Sequence, residues 1–293
     1  MAGSGQIRQL KRRIRSVEST QKITRAMEMI AASRIMRAQG RVRAARPYAE
    51  QILEVIKGLA VSNDVRNHPL LHVRDPKRVA VLVYTSDRGL AGAYNANVLK
   101  TAERTINEEE AHGRSVDLYV VGRKGKGYFS YRGRNAVRQW EGISDAPTID
   151  SAGEIADVVM QAYAAGELDR VWLVYTDFRS SLAQTPVRME LLPVKPEEFG
   201  GGEAIAPEFI FEPSQAELLE RLIPRYVEAK AFHGLLESSA SEHAARQRAM
   251  KSATDNAKAV AADLSRVMNA ARQEQITTEI IEIVGGAEAL GAK

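Results

Sequence analysis

The longest pattern in the chain is a run of fifty residues, Leu235 to Val284, that contains neither Gly nor Pro. A helix of this length extends about 75 Å, whereas an ordinary globular helix has three or four turns. Small, apolar and some polar residues recur along it at spacings of three and four: Leu236, Ser239, His243, Arg246, Met250, Ala253, Ala257, Val260, Leu264, Val267 and Ala271. A seven-residue repeat predicts a left-handed coiled coil with a second helix, and we expect its tightest seam between Met250 and Ala271.

The N-terminal region supplies the partner helix, because residues 6–39 also lack Gly and Pro. Their apolar positions are Ile7, Leu10, Ile14 and Val17, followed after a shift of register by Ile23, Met27 and Ile30. The pattern predicts that this helix continues to about Lys57, past Gly40 and with a kink at Pro47. We therefore expect the two terminal helices to pair antiparallel.

The central region has a different texture, with short apolar and β-branched runs separated by helical stretches. Strands are predicted at Arg78–Tyr84, Val116–Val121, Val171–Tyr175 and Pro186–Leu192, and helices at Tyr94–Ala111 and Ile149–Ala165. Alternation of strands with helices predicts a doubly wound, Rossmann-like sheet. The expected fold class is a long antiparallel coiled coil with a central α/β domain. The expected divisions are residues 1–57 (N-terminal helix), 75–205 (central domain) and 212–293 (C-terminal helix).

Two loops of the central domain are candidates for ligand binding, since doubly wound sheets often hold nucleotides beyond their strand ends. Gly122–Gly127 is glycine-rich and basic, but it lacks both the GxGxxG and the GK[ST] spacing, so a basic turn before a helix is favoured over a phosphate cradle. Thr85–Asn95 contains capping residues and glycines without a nucleophile and base. The five histidines are scattered without metal-ligand spacing. The sequence thus predicts no catalytic, cofactor or metal site, and no enzyme activity by the chain alone.

Charge is distributed unevenly along the chain. The net charge is +4, with 44% hydrophobic and 27% charged residues, as in a soluble protein. Residues 1–57 hold thirteen basic and four acidic residues, a net charge of +9, so the remainder is negative. A basic helix of this kind is typical of proteins that bind nucleic acid, an anionic membrane or an acidic partner, although a solvated face is an equally good interpretation. No membrane span, signal segment or cysteine is found, which favours a cytosolic protein without thiol chemistry.

The C-terminal helix is predicted to be longer than its partner. If the helix ends at Lys57 and Glu212 set the register, paired residue numbers sum to about 269 and Met1 lies near Met268. Roughly 25 residues, nearly 40 Å of helix, then have no partner within the chain. This overhang still carries apolar residues, namely Ile276, Ile280, Ile281, Ile283 and Val284. We therefore expect another protein to surround it.

Five segments resemble the gamma subunits of rotary ATP synthases: QKITRAMEMIAASR (residues 21–34), RPYAE (46–50), TSDRGLAGAYN (85–95), SEHAARQRAMKSATDNA (241–257) and RQEQITTEIIEIVGGAEAL (272–290). The resemblance covers essentially the whole chain. It implies the central rotor shaft of a proton-translocating ATP synthase, which couples ion-driven rotation to ATP synthesis or hydrolysis. The implied partners are three alpha subunits, three beta subunits, the epsilon subunit and the ring of membrane c subunits. The implied location is peripheral, on the cytoplasmic face of a bacterial plasma membrane.

The same resemblance assigns roles to individual positions. Arg25, Met27 and Glu28 match a contact with the acidic lever segment of a beta subunit. Arg246, Gln273 and Thr277 match a contact with a beta catch loop. Ile276, Ile280, Ile283 and Val284 match a tip held in an apolar sleeve. Ala91 stands where many relatives have Cys, and the cysteine-bearing insertion of chloroplast members is absent, so thiol gating is not expected.

Two other classes of protein remain open at the level of the residues. A basic coiled-coil scaffold or nucleic-acid-binding protein fits the charged N-terminal helix, but the remainder is negative and no Phe or Trp precedes Phe129 to stack on bases. A nucleotide-binding α/β enzyme with helical arms lacks the expected fingerprints. The choice of proton or sodium ion lies with another subunit and is not encoded here.

Overall fold

A computed structural model describes residues 2–59, 68–195 and 215–291. In chain order its elements are α1 (Ala2–Leu59), a 3₁₀ turn (Pro69–Leu71), β1 (Arg78–Tyr84), α2 (Tyr94–Ala111), β2 (Ser115–Val121), α3 (Arg123–Tyr131), β3 (Arg138–Trp140), α4 (Ile149–Ala164), β4 (Arg170–Phe178), β5 (Gln184–Leu192) and α5 (Gln215–Gly291). The two terminal helices are therefore the longest elements, with 58 and 77 residues. Pro47 lies within α1, as the sequence pattern predicted, and Pro224 lies within α5.

The chain forms two compact units. We call Met1–Ile30 with Gln247–Lys293 the helical unit, and Ala31–Arg246 the sheet unit. The inner parts of both terminal helices belong to the sheet unit. The domain divisions predicted from the sequence stay predictions, because the segments that join the elements at two of those boundaries lie outside the described residues.

The terminal helices run antiparallel. In the sheet unit, Ile52 and Ile56 of α1 share a core cluster with Leu219 and Ile223 of α5. Further along the same two helices, Arg34 and His243 both lie against Asp145. Residue numbers on α5 thus rise as those on α1 fall.

The pairing register differs from the prediction. In the helical unit the Oγ1 atoms of Thr24 and Thr254 are 2.8 Å apart, so paired numbers there sum to 278 and not to about 269. The predicted value was set by estimated helix ends and not by a contact between the two helices. With a sum of 278, fewer residues of α5 lack a partner on α1, so the overhang is shorter than predicted.

The seam of α1 in the helical unit keeps one uninterrupted heptad phase. Its buried and half-buried positions are Ile7, Leu10, Ile14, Val17, Gln21, Thr24 and Glu28. The predicted shift of register is wrong, since Ile23 and Ile30 are 58% and 53% exposed. Polar Gln21 and Thr24 continue the phase, whereas the prediction followed hydrophobicity to the neighbouring isoleucines. Met27 is half-buried beside the seam.

The predicted stripe of α5 is buried or half-buried at every position except Val260 and Val267. The inward positions are Met250, Thr254, Ala257, Ala261, Leu264, Met268, Ala271 and Gln275. Val260 and Val267 were expected in the seam but are 46% and 51% exposed. Ala261 and Met268, one position later, take their place, and the two valines face outward.

The sheet has the strand order β3-β2-β1-β4-β5, in which β5 alone is antiparallel to its neighbour. Leu82 and Tyr84 point into a core formed with α4 and the inner ends of α1 and α5. Val81 and Val83 point into a second core formed with α2 and α3. Helices therefore cover both faces, which confirms the doubly wound α/β prediction.

Strand β3 was not predicted, and helix α3 begins earlier than predicted. Strand β3 has only three residues, of which Trp140 alone is buried, so it carries no hydrophobic pattern. Helix α3 begins at Arg123 inside the glycine-rich segment that was interpreted as a basic turn. That interpretation is wrong, because Gly125 and Gly127 are helical residues.

Candidate functional site

The crevice between β1 and β4 is the place where a sheet of this strand order binds ligands. Here the inner part of α5 lies across it. Ser241 donates a hydrogen bond from Oγ to the carbonyl of Thr176 (3.2 Å), and Glu237 Oε2 accepts one from the amide of Phe178 (2.9 Å). Ala245 packs against Tyr94. The chain thus fills its own crevice.

The first turn of α3 is also occupied. Helix N-termini attract anions because their first amides have no partner within the helix. In this helix the amide of Arg123 donates to Asp87 Oδ1 (3.2 Å), that of Lys124 donates to the Ser86 carbonyl (3.0 Å), and that of Gly125 donates to Thr85 Oγ1 (2.9 Å). The Asp87 carboxylate stands where a phosphate would bind.

The glycines of this segment have packing roles. Gly122 has φ of +95°, and a Cβ at this position would lie 2.3 Å from the carbonyl oxygen of Thr85. A Cβ at Gly125 would lie 2.7 Å from Val120 Cγ1 and 2.8 Å from Thr85 Oγ1. Glycine therefore lets α3 pack closely against β1 and β2. Within the described ranges, no group of three or more acidic or histidine residues is arranged to hold a metal ion.

Arg246 is buried at the border of the sheet unit. Its Nη2 atom donates to Glu242 Oε1 (2.6 Å) and to the carbonyl oxygens of Arg88 and Gly89 (3.2 Å each). Burial raises the pKa of Glu242, and the cation of Arg246 opposes this shift. Both side chains are almost fully enclosed. The guanidinium that the resemblance assigns to a partner's loop is thus engaged inside its own unit.

His243 lies between this pair and the loop that follows β3. Its Nε2 atom is 3.4 Å from the carbonyl oxygen of Asp145, and its Nδ1 atom is 3.4 Å from Nη1 of Arg246. Burial lowers the pKa of His243 to about 4, although Asp145 acts in the opposite direction. The imidazole is therefore neutral near pH 7, with Nε2 as donor and Nδ1 as acceptor. Arg34 of α1 pairs with both carboxylate oxygens of Asp145.

Sequence reasoning missed this polar network. His243 was counted among scattered histidines, and Asp145 was not considered. A signal was present, since Ser239, His243 and Arg246 interrupt an otherwise small or apolar stripe on the C-terminal helix. Polar residues on a buried stripe indicate polar partners on the facing surface.

The residues assigned to the beta lever lie together in the helical unit. Arg25 Nη1 is 3.0 Å from Glu28 Oε2, with the arginine side chain 61% exposed. Next to them, Gln21, Lys22, Arg25, Ala26, Met29 and Thr254 line an open groove of about 590 Å³. Met27 is half-buried and does not line the groove.

The residues assigned to the catch loop are not brought together. Arg246 belongs to the sheet unit, whereas Gln273 and Thr277 lie further along α5 in the helical unit. Both of the latter are exposed, and the Thr277 hydroxyl donates to the Gln273 carbonyl (2.9 Å).

The predicted tip is apolar and exposed in the chain by itself. Exposed fractions are 45% for Ile276, 55% for Ile280, 65% for Ile281, 72% for Ile283 and 53% for Val284. Soluble proteins keep apolar surface of this kind for interaction with partners. No helix of the described segments is long and apolar enough to cross a membrane.

Comparison with known proteins identifies the family. A family model described as ATP synthase matches residues 6–290. The ATP synthase gamma chain of Streptomyces coelicolor is 48% identical over 97% of this chain and 96% of its own length. That of Frankia casuarinae is 48% identical over 99% of both chains. The chain belongs to the ATP synthase gamma-chain family.

Solved structures agree with this assignment. A chain of the Tetrahymena thermophila mitochondrial ATP synthase central stalk and c-ring superposes with a TM-score of 0.61 and 26% identity. The match covers 79% of the present chain and 99% of that chain. A chain of the Euglena gracilis mitochondrial ATP synthase, from an assembly of OSCP, F1 and c-ring, has a TM-score of 0.69. It covers 99% of the present chain and 96% of its own, and its 18% identity supports the fold alone.

Proposed function

We propose that this chain is the central rotor shaft of a bacterial rotary ATP synthase. It couples ion-driven rotation of the membrane c-ring to ATP synthesis or hydrolysis in a head of three alpha and three beta subunits, and it catalyses no reaction itself. The observation that carries the proposal is the exposed apolar surface of the helical unit, in a chain whose family match spans residues 6–290. That surface needs surrounding subunits to bury it.

The coupling works by population shift. Each orientation of an asymmetric shaft offers different side chains to each of the three beta subunits. A difference in contact free energy between open and closed beta conformations is sufficient to bias the catalytic sites. The shaft therefore needs rigidity and shape more than chemistry. Uninterrupted helices of 58 and 77 residues supply that rigidity.

The remaining partners and the location follow from the same proposal. The sheet unit contacts the epsilon subunit and the c-ring, which place the chain peripherally at the cytoplasmic face of the bacterial membrane. We propose that no cofactor binds to the sheet, since α5 fills the crevice and Asp87 caps α3. The coupling ion is selected in the c-ring and not by this chain.

Arg25, Met27 and Glu28 form the proposed contact with the beta lever. The groove beside them has a mainly apolar lining that includes two basic residues, Lys22 and Arg25. An acidic helix with an apolar face is complementary to such a surface. Charge attraction between exposed groups is screened within about 8 to 10 Å, so the contact is reversible at every step.

Gln273, Thr277 and Arg246 form the proposed contact with the catch loop. The exposed amide of Gln273 is available for a partner without rearrangement. Arg246 has to exchange its bonds to Arg88 and Gly89 before it can reach one. We therefore propose that Gln273 and Thr277 contact the catch loop directly. Arg246 contacts it only after its bonds to Arg88 and Gly89 are broken.

Ile276, Ile280, Ile283 and Val284 form the proposed tip within an apolar sleeve. A fully buried aliphatic side chain contributes about 1.5 to 3 kcal/mol. The tip therefore stabilises the assembly through contacts that do not depend strongly on the angle of rotation.

The test is reconstitution with the alpha and beta subunits of the same organism. We expect a stable complex with one copy of this chain, and stepwise rotation of a bead attached to its sheet unit during ATP hydrolysis. Failure to assemble, or salt-dependent retention of the isolated chain on DNA, would contradict the proposal and favour the nucleic-acid-binding alternative.

A further inference from the structure

We propose that five side chains of the sheet unit, Arg34, Asp145, His243, Arg246 and Glu242, form a polar joint that fixes the angle of the terminal helices against the sheet. They act as positioning residues for the rotary coupling. The inference rests on the proposed rotor function. It concerns contacts within Ala31–Arg246 only.

The first link joins α1 to the sheet. Arg34 is the fourth residue of the sheet unit along α1, and its Nη1 atom pairs with both oxygens of Asp145. Asp145 lies in the loop between β3 and α4. Each of the two side chains is 30% exposed, so the ion pair is partly shielded from water. This charge-assisted contact holds the end of the Arg34 side chain at the loop and so opposes movement of α1 at this point.

The second link joins α5 to the same loop. His243 lies 3.4 Å from the Asp145 carbonyl and 3.7 Å from its carboxylate, and Ser239 Oγ donates to that carbonyl at 3.5 Å. Asp145 thus receives contacts from both terminal helices. A shift of either helix disturbs the contact of the other.

The third link joins α5 to the loop that follows β1. Arg246, the last residue of the sheet unit, holds the carbonyls of Arg88 and Gly89 and is itself fixed by Glu242. The two loops are tied together, because the Asp87 amide donates to Ser144 Oγ (2.9 Å) and the Ser144 amide donates to Asp87 Oδ2 (3.2 Å). Both terminal helices are therefore connected to one rigid loop pair at the strand ends.

The position of the joint gives it a mechanical role. Deeper in the unit the helices contact the sheet through apolar residues such as Ile56 and Ile223, whose packing has no directional preference. Hydrogen bonds and ion pairs at the border do have one. Since α1 and α5 both continue past Arg34 and Arg246, a twist applied to them acts first on these polar contacts. Removing one member of a buried polar network leaves its partners unsatisfied, so each of these side chains depends on the others.

The experiment measures torsional stiffness in the assembled complex. The head is fixed to a surface, and a bead is attached through Leu182→Cys, a position that is 84% exposed in a chain without natural cysteine. Angular fluctuations are recorded while the motor is stalled. For Asp145→Asn, which removes the charge that pairs with Arg34 and leaves the carbonyl contacts of α5 in place, we expect a rise in mean-square fluctuation of about twofold or more. Unloaded ATP hydrolysis should stay near the native rate.

The matched control is Asp117→Asn. It removes a comparable ion pair, with Arg78 Nε at 2.8 Å, between two neighbouring strands of the sheet. We expect native fluctuations for this variant. If Asp145→Asn fails to assemble, Arg34→Gln takes its place and should still increase the fluctuation. Native stiffness in both joint variants, or equal softening by Asp117→Asn, would overturn the inference. A native chain that neither assembles nor rotates would instead overturn the proposed function.

Discussion

The two units of the chain bury their apolar residues to very different extents. In the sheet unit, most residues of strands β1, β2 and β4 are buried, and only Arg78 and Ser115 of these strands are exposed. In the described part of the helical unit only Leu10, Ile14, Thr24, Met250 and Thr254 are buried, whereas isoleucines and valines face outward. The sheet unit is thus stabilised by its own core. The helical unit is a surface that is completed by other proteins, and this division separates residues that serve stability from residues that serve rotation.

The largest effect on stability is expected from one of two matched isoleucine truncations, which lie in different units. Ile155→Ala removes a fully buried side chain from the core of the sheet unit and should destabilise the isolated chain by about 2 to 5 kcal/mol. Ile280→Ala removes a side chain that is 55% exposed and should change stability by less than about 0.5 kcal/mol. Chemical denaturation measures both. In the assembled complex we expect Ile280→Ala to act on a different quantity, because it should weaken association with the head. A large loss of stability for isolated Ile280→Ala would break the comparison.

A second prediction concerns pH. The folded pKa of His243 is about 4, below the ordinary 6.5, so the unfolded chain takes up a proton first as pH falls. Stability should therefore decrease between pH 6.5 and about 4, by up to about 3 kcal/mol, and this contribution should not change above pH 7. Glu242 acts with the opposite sign because its pKa is raised. The measurement is therefore the difference in melting temperature between the native chain and His243→Gln across this range, and parallel curves would contradict the buried neutral imidazole.

A third prediction compares two glycines of α3. Gly125→Ala brings a methyl group within 2.7 Å of Val120 and should cost about 1 to 3 kcal/mol. Gly127→Ala meets nothing within 4 Å and should stabilise the helix by about 0.5 to 1 kcal/mol. Thermal unfolding of the two variants should shift in opposite directions. Equal shifts would mean that the segment is not closely packed against the strands.

The substitution Met27→Lys should have the smallest effect on stability but a clear effect on the coupling of ATP hydrolysis to ion pumping. Met27 is half-buried, so the lysine of Met27→Lys can extend its ammonium group into water and stability should fall by less than about 1 kcal/mol. A new cation near the proposed lever contact should add an ion pair that hinders each step. We expect normal assembly but a lower yield of ion pumping per ATP hydrolysed, with Met27→Leu as the control. Parallel loss of assembly and activity would identify Met27 as a seam residue only.

Features with strong local patterns were predictable from the sequence. Strand β1 consists of RVAVLVY, a run typical of a strand buried on both faces, and the heptads of α1 and α5 predicted that the two helices pair, although not their register. Positions whose burial depends on a partner helix were harder to predict. Thr24 and Ala261 lie in the seam while Ile23 and Val260 do not, because helix phase decides burial and hydrophobicity does not.

The polar joint was beyond sequence reasoning for a related reason. Arg34 and Asp145 are 111 residues apart, and neither stands in a local motif that indicates the other. The proposed contact residues were found through the resemblance to a known family. Arg246 illustrates the limit of that route, since its position in the motif gave no sign that its guanidinium is used within the chain.

Because α5 fills the crevice of the sheet, we do not expect the shaft to respond to the nucleotides around it. A sheet of this type with an open crevice would be free to bind ATP or ADP, and its conformation would then follow their concentrations. Because Ser241 bonds to the Thr176 carbonyl and Asp87 to the first turn of α3, we expect no such response from the described residues. As a rotor, the chain would therefore keep the same stiffness in a well-energised and a starved cell, and information about nucleotide levels would have to enter the motor through other subunits.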